Sequence, residues 1–87
     1  MKILISGGAG FIGSAVVRSA ISRGDTVINV DALKYSGNLK NLQKIKNNKN
    51  YIFEHADICN LKEMQRIIKE YEPDSVMHLA AESHVDR

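Results

Sequence analysis

Short apolar runs and segments with helical spacing alternate along this chain. The apolar runs predict four β-strands, at residues 2–6, 26–30, 51–56 and 74–81. The last run is nearly continuous in apolar residues, which is typical of a parallel strand covered on both faces. Between the first two runs, apolar residues recur every three or four positions from Phe11 to Arg23. This spacing predicts a helix that Gly24 ends.

A second long helix is predicted before the fourth strand. Asn60 is placed to cap it, and Glu63, three residues later, completes the pattern of a capping box. Pro73 ends the helix. Its buried face is expected to consist of five residues, namely Leu61, Met64, Ile67, Ile68 and Tyr71.

The segment between Asp31 and Asn50 is the least regular part of the chain. Gly37 and Asn38 indicate a turn, and Leu39, Leu42 and Ile45 form a stripe that predicts a short helix. Residues 46–50 are expected to form a solvated loop. Strands that alternate with helices predict an α/β fold, a Rossmann-type doubly wound parallel sheet of four strands in the order 3-2-1-4.

The stretch between the first strand and the first helix is rich in glycine. Gly7, Gly10 and Gly13 have the spacing of a dinucleotide-binding turn, in which glycine permits a tight turn, close approach of the backbone to a pyrophosphate, and close packing of helix on strand. Free N–H groups at the start of the helix would face the diphosphate. The sequence therefore predicts a pyrophosphate site here.

Polar residues follow other predicted strands. Asp31 lies 18 positions after Gly13, about where an acid that binds the ribose hydroxyls is expected. Such a carboxylate would repel a 2′-phosphate, which favours NAD over NADP, although Lys34 would offset part of that repulsion. Four separate stretches are expected to converge on one crevice between strands 1 and 4, namely the turn at Gly7, Asp31, Asp57 and residues 80–83.

Composition and charge limit the other functions. The chain has 87 residues, of which 44% are hydrophobic and 25% charged, and a net charge of +2, which is too small to imply nucleic acid. No apolar run approaches the roughly 18 residues of a membrane span, so a cytoplasmic location is expected. The single cysteine, Cys59, excludes an intrachain disulfide, and the lysine-rich stretch from Lys34 to Lys49 is interpreted as a solvated surface.

The fourth predicted strand and its continuation are specific enough to indicate a family. Residues 77–87, with the sequence MHLAAESHVDR, together with residues 31–38 and 56–59, closely resemble the dTDP-glucose 4,6-dehydratases, which are extended short-chain dehydrogenases/reductases. The resemblance covers the whole chain. It implies that residues 1–87 are the NAD-binding amino-terminal portion of a longer enzyme, without its substrate domain.

The resemblance also implies roles for particular residues. Backbone N–H groups of Phe11 and Ile12 would bind the pyrophosphate, and Asp57 and Ile58 would flank the adenine. The adenosine ribose side would be held by Asp31, Ala32, Leu33 and Lys34. The nicotinamide half would be lined by Leu79, Ala80, Ala81, Glu82 and Ser83, and Ser83 would also contact the sugar. Lys34 and Ser36 stand where the family usually has Thr and Ala.

The implied reaction is that of a lyase. Carbon 4 of a dTDP-hexose is oxidised by enzyme-held NAD, water is eliminated across carbons 5 and 6, and the hydride returns to carbon 6. The family's Tyr-x-x-x-Lys pair is missing, because Tyr35, Tyr51 and Tyr71 are followed four residues later by Leu, His and Ser. No catalytic residue is therefore assigned, the chain alone is expected to be inactive, and the full-length enzyme is expected to be a homodimer.

Alternatives remain at this point. The chain could belong to a nucleotide-sugar epimerase or decarboxylase of the same superfamily, or be a non-catalytic dinucleotide-binding module. His78, Glu82, His84 and Asp86 could be taken for a metal cluster, but a strand followed by a loop separates their directions, so no metal site is predicted.

Overall fold

The computed structural model of the chain describes residues 1–7, 11–32 and 42–79. Within these ranges it contains four strands and two α-helices. In chain order they are β1 (Lys2–Ser6), α1 (Phe11–Ser22), β2 (Thr26–Asp31), β3 (Tyr51–His55), α2 (Leu61–Tyr71) and β4 (Ser75–His78). The starts of β1 to β3 and of α1 agree with the predictions from apolar spacing. Gly24, with φ of 93°, ends the turn after α1 in the left-handed region that glycine adopts without a steric cost.

All neighbouring strands are parallel, and the sheet order β3-β2-β1-β4 confirms the predicted topology. The register places Ser6 beside both Val30 and His78, and Asp31 beside His55. The carboxyl ends of all four strands therefore meet at one edge of the sheet. This is the edge at which open α/β sheets bind ligands.

The two helices pack on opposite faces of the sheet. On one face, Val17, Ala20 and Ile21 of α1 form a core with Ile3 and Ile5. On the other face, Ile67 of α2 is fully buried among a cluster that includes Leu4, Ile28, Val30 and Ala56. Alternate residues of β1 thus serve both cores, as expected for a central parallel strand.

The predicted short helix around residues 39–45 is not an α-helix in its described part, and Leu39 lies outside the described residues. The Ile45 N–H donates to the Leu42 carbonyl at 3.0 Å and the Asn48 N–H to the Ile45 carbonyl at 2.9 Å, which is the spacing of successive tight turns. Leu42 is nevertheless 1% exposed and packs in the core of the α1 face. The apolar stripe predicted the burial of Leu42, but the same spacing of apolar residues is compatible with tight turns as well as with an α-helix.

The start of α2 confirms the predicted cap but only half of the capping box. Oδ1 of Asn60 accepts a hydrogen bond from the Glu63 N–H at 3.2 Å. The reciprocal bond is replaced, because the Asn60 N–H donates to the Asp57 carbonyl at 2.8 Å and the Glu63 carboxylate accepts from Arg66 at 2.9 Å. The predicted buried face of α2 is also too wide, since Leu61 and Ile68 are exposed.

The expectation that the fourth strand is covered on both faces is wrong for this chain. All four residues of β4 are exposed, with Val76 at 59% and Met77 at 40%. β4 is an edge strand of the described sheet, paired only with β1. Beside it, Ile12 and Ala15 of α1 and Met77 line an open, mainly apolar groove of about 360 Å³. The apolar pattern shows that a strand can be covered, whereas the described fold places no helix over it.

Candidate dinucleotide-binding site

The turn after β1 has the geometry that its glycine predicts. Gly7 has φ of 83°, a conformation that favours glycine, and its N–H donates to the Val30 carbonyl of β2 at 2.9 Å. α1 begins at Phe11, and Gly13 is buried within its first turn. The side chain of Ile12 is 56% exposed. Gly10 lies outside the described residues.

The acid at the end of β2 is held by its neighbour in the sheet. The Asp31 carbonyl accepts a hydrogen bond from the Ala56 N–H at 3.3 Å, and Nε2 of His55 donates to the Ala32 carbonyl at 3.1 Å. Both Asp31 and Ala32 are half-buried. The end of β3 therefore fixes the backbone that carries the predicted ribose ligand. Leu33 and Lys34 lie outside the described residues.

The loop after β3 places Asp57 at the same edge. One carboxylate oxygen of Asp57, Oδ1, accepts from the Cys59 N–H at 2.9 Å, which forms an Asx turn. Ile58 packs against the core on the α2 face, and Cys59 is exposed. The turn orients Asp57 beside the ends of β2 and β3, on the side where an adenine would lie if Asp31 held the ribose.

The segment after β4 begins within the described structure and continues beyond it. The Leu79 N–H donates to the Ser6 carbonyl at 2.9 Å, and the Leu79 side chain packs against the core on the α1 face. The remaining residues predicted for the nicotinamide half lie outside the described residues, namely Ala80, Ala81, Glu82 and Ser83. The structure thus brings Gly7, Asp31, Asp57 and Leu79 to one edge.

Two histidines lie at this edge, of which His55 was not selected from the sequence and His78 was considered only as a member of the metal cluster that was not predicted. His55 is the last residue of β3 and bonds to Ala32, and His78 is the last residue of β4, with Nδ1 2.6 Å from Oγ of Ser6. Their position towards the carboxyl ends of predicted strands could have indicated that they lie at the ligand-binding edge. Of the alternative metal cluster, only His78 is described, and no three His, Cys, Asp or Glu residues group around a possible ion in the described ranges.

A parallel sheet in this order, with a glycine turn entering α1 at the switch point between β1 and β4, defines a Rossmann-type dinucleotide-binding fold. Comparison of the sequence with known families narrows this fold class to one family. The model of the GDP-mannose 4,6 dehydratase family matches residues 4–87, and the chain belongs to this family. Neither helix of the described ranges has the length and apolarity to cross a membrane.

Relatives within the family are closely similar. The chain is 64% identical to the dTDP-glucose 4,6-dehydratase of Salmonella typhimurium over 88 aligned residues, which cover 100% of this chain and 24% of the relative. The chain thus spans about a quarter of the length of this curated relative.

Two solved structures show the same fold. The dTDP-glucose 4,6-dehydratase of Bacillus anthracis, in complex with NAD, superposes with a TM-score of 0.90 at 42% identity, over 95% of this chain and 27% of that one. The UDP-glucose 4-epimerase of Thermotoga maritima, with UDP-glucose, gives a TM-score of 0.83 at 44% identity, over 99% of this chain and 26% of the other.

Proposed function

We propose that this chain is the NAD-binding amino-terminal portion of a dTDP-glucose 4,6-dehydratase. The observation that carries the proposal is the convergence of Gly7, Asp31, Asp57 and Leu79 on the carboxyl edge of a sheet whose order reverses there. The identity of 64% to a dTDP-glucose 4,6-dehydratase and the NAD complex of a structural relative support the choice of enzyme and cofactor.

In this proposal the residues that follow each strand bind a different part of NAD. The turn from Gly7 through Gly10 to Gly13, with the N–H groups of Phe11 and Ile12, holds the pyrophosphate. The adenosine half lies against residues 31–34, Asp57 and Ile58. The nicotinamide half lies along residues 79–83, from which Ser83 also reaches the dTDP-hexose.

When bound, NAD would supply reversible hydride acceptance from the sugar. The described residues bind and orient the cofactor, and the sequence has no Tyr-x-x-x-Lys pair to act on the substrate hydroxyl. We therefore expect the 87-residue chain to bind NAD without forming product. The complete enzyme is proposed to be a lyase that acts as a homodimer in the cytoplasm.

Calorimetric titration of NAD and NADP into the chain at fixed salt tests the cofactor. We expect NAD to bind more tightly, because the Asp31 carboxylate accepts from ribose hydroxyls and repels a 2′-phosphate. Asp31→Asn should weaken NAD binding about tenfold or more, the size of a hydrogen bond to a charged group, and should narrow the preference over NADP. The absence of binding by a folded chain would contradict the proposal.

Asp25→Asn is the matched control for this titration. Asp25 carries the same side chain at the opposite edge of the sheet, where it pairs with Arg23 at 2.8 Å. This substitution should leave both affinities unchanged. Equal losses in the two variants would show that the effect of Asp31→Asn is not local to the cofactor.

A sugar-nucleotide epimerase is the second candidate, because the Thermotoga maritima epimerase is 44% identical to this chain, slightly above the Bacillus anthracis dehydratase at 42%. The whole polypeptide encoded by the gene distinguishes the two. Incubated with dTDP-glucose, a dehydratase yields a 4-keto-6-deoxy sugar, whereas an epimerase interconverts hexoses without loss of water. A polypeptide that binds NAD and acts on neither dTDP-glucose nor UDP-glucose would favour a non-catalytic module.

A further inference from the structure

A side-chain hydrogen bond joins the carboxyl ends of β1 and β4. Oγ of Ser6 and Nδ1 of His78 lie 2.6 Å apart, and the two residues are direct partners in the strand register. The Ser6 carbonyl also accepts from the Leu79 N–H at 2.9 Å. Ser6 is therefore linked to both the last residue of β4 and the first residue after it.

Ser6 is the polar last residue of β1, and it directly follows Ile3, Leu4 and Ile5, which are buried and apolar. It is only 2% exposed, and a buried hydroxyl is costly unless it is hydrogen-bonded. The backbone hydrogen bonds already pair β1 with β4. The side-chain bond therefore serves mainly to fix the orientation of the His78 side chain and of Leu79, which follows it. Ser6 also immediately precedes Gly7, where the glycine turn begins.

The sheet order shows which half of a dinucleotide this contact faces. If the pyrophosphate lies at the turn between β1 and α1, and Asp31 at the end of β2 takes the ribose of the adenosine half, the second nucleotide must extend the other way, over β4. His78 is the last residue of β4. Leu79, the next residue, therefore lies at the part of this edge over which the second nucleotide would extend.

We propose that the hydrogen bond between Ser6 and His78 positions Leu79, where the chain leaves β4, toward the nicotinamide ring of bound NAD. His78 is thus a positioning residue, which acts through Leu79. The bond connects the end of β4 to Ser6, the residue before Gly7, so that the pyrophosphate and nicotinamide subsites keep a fixed spacing. The inference rests on the proposed function, since it requires a bound dinucleotide.

The test compares NAD with ADP-ribose, which has both riboses and the pyrophosphate but lacks the nicotinamide ring. The affinities of both nucleotides are measured by calorimetry in the whole polypeptide encoded by the gene, after removal of bound nucleotide. His78→Phe keeps a ring but removes Nδ1. We expect it to weaken NAD binding roughly fivefold to tenfold, the scale of one hydrogen bond, and to change ADP-ribose binding less than twofold.

Three further variants make the result specific. His78→Asn can place an amide near the position of Nδ1 and should recover most of the NAD affinity. Ser6→Ala removes the hydroxyl without adding bulk and should reproduce the selective loss, which also provides the measurement if His78→Phe does not fold. Tyr51→Phe is the matched control, because it removes a 3.0 Å side-chain hydrogen bond to Asn29 that joins β3 to β2 and does not involve β4. It should leave the ratio of the two affinities unchanged.

The outcomes separate this inference from the proposed function. Equal weakening of NAD and ADP-ribose in His78→Phe and Ser6→Ala would show a purely structural contact and overturn the inference. Unchanged affinities in folded variants would also overturn it, while the proposed function would stand. A wild-type polypeptide that binds neither nucleotide would overturn the proposed function and the inference with it.

Discussion

Nη2 of Arg66 lies 2.9 Å from Oε1 of Glu54, and this ion pair joins α2 to the strand β3 at the edge of the sheet. The other carboxylate oxygen of Glu54 accepts from the Tyr71 hydroxyl at 2.7 Å. Arg66 also pairs with Glu63 and Glu70, each at 2.9 Å. The network supports the proposed adenine side of the candidate site indirectly, because β3 also carries His55 and leads into Asp57.

Acid should weaken this network at Glu54. Hydrogen bonds from Arg66 and then Tyr71 hold the pKa of Glu54 below its usual value of 4.5. A carboxyl whose folded pKa is lowered stabilises the fold above its unfolded pKa, and this stabilisation is lost as the pH falls through the folded value. Glu54→Gln should therefore lower the midpoint of thermal unfolding at pH 7, by roughly 2–5 °C.

Thermal unfolding followed by circular dichroism from pH 7 to pH 3 measures this effect. The difference between wild type and Glu54→Gln should shrink as the pH falls below about 4.5. Glu70→Gln is the control, because Glu70 is more exposed and, among the residues that the structure describes, pairs with Arg66 alone, so a smaller loss at pH 7 is expected. A difference that stays constant down to pH 3 would contradict the assignment.

Tyr71 should produce the opposite dependence in alkali. Its hydrogen bond to Glu54 raises the pKa of Tyr71 to about 12. Because the folded pKa lies above the unfolded value of 10.0, this contribution is complete below pH 10 and is lost as the pH rises towards 12. Tyr71→Phe should therefore lose less stability than the wild type between pH 10 and pH 12. It should also remove one tyrosine that ionises near pH 12 from the titration followed by tyrosinate absorbance. An unchanged titration in a folded variant would show that another tyrosine accounts for that ionisation.

The amino terminus of α2 allows a direct test of its cap. Asn60→Ala should lower the free energy of unfolding by about 1 kcal/mol, because the Glu63 N–H loses its acceptor. Asn60→Asp should restore most of the stability, since a carboxylate accepts the same bond and favours the positive end of the helix dipole. Urea denaturation measures all variants.

Glu63→Ala is the control for the capping geometry, because it removes the side-chain acceptor that a full capping box requires. The Glu63 carboxylate accepts from Arg66 and the Asn60 N–H donates to the Asp57 carbonyl. The substitution should therefore cost less than Asn60→Ala. Equal costs would indicate that the full capping box forms in solution.

The exposed edge strand should make the 87-residue chain associate with itself. Val76 and Met77 are largely exposed beside the apolar groove that Ile12 lines, and an unpaired apolar edge is a template for pairing with another chain. Val76→Lys should reduce the apparent mass measured by analytical ultracentrifugation at micromolar concentration. Ile68→Lys adds the same charge at an exposed position of α2, 46% exposed, and should not do so. Equal effects would assign the change to net charge.

Much of the fold follows from local sequence. The apolar runs of β1 to β3, the turn at Gly7 and the cap at Asn60 each depend on residues near one another in the chain, and the structure has them where they were expected. Alternation of strands and helices then leaves few topologies, because parallel strands need right-handed crossovers. The order β3-β2-β1-β4 was predictable for this reason.

The buried faces were not predictable to the same degree. Ile67 and Ile68 of α2 are equally apolar, yet Ile67 is fully buried and Ile68 is exposed. Periodicity shows that a face can be buried, but the angle at which the helix meets the sheet selects the residues that are. The exposure of Val76 was unpredictable for a related reason, because an apolar run does not indicate which element of the fold will cover it.

The sequence by itself determined the strands, the dinucleotide turn and the acid at position 31, because each is written in neighbouring residues. The tertiary structure alone decided that Ser6 meets His78 and that His55 holds Ala32, pairs separated by 72 and 23 positions in the chain. These contacts depend on strand register. Register is set by the whole sheet and both cores, so no local pattern carries it.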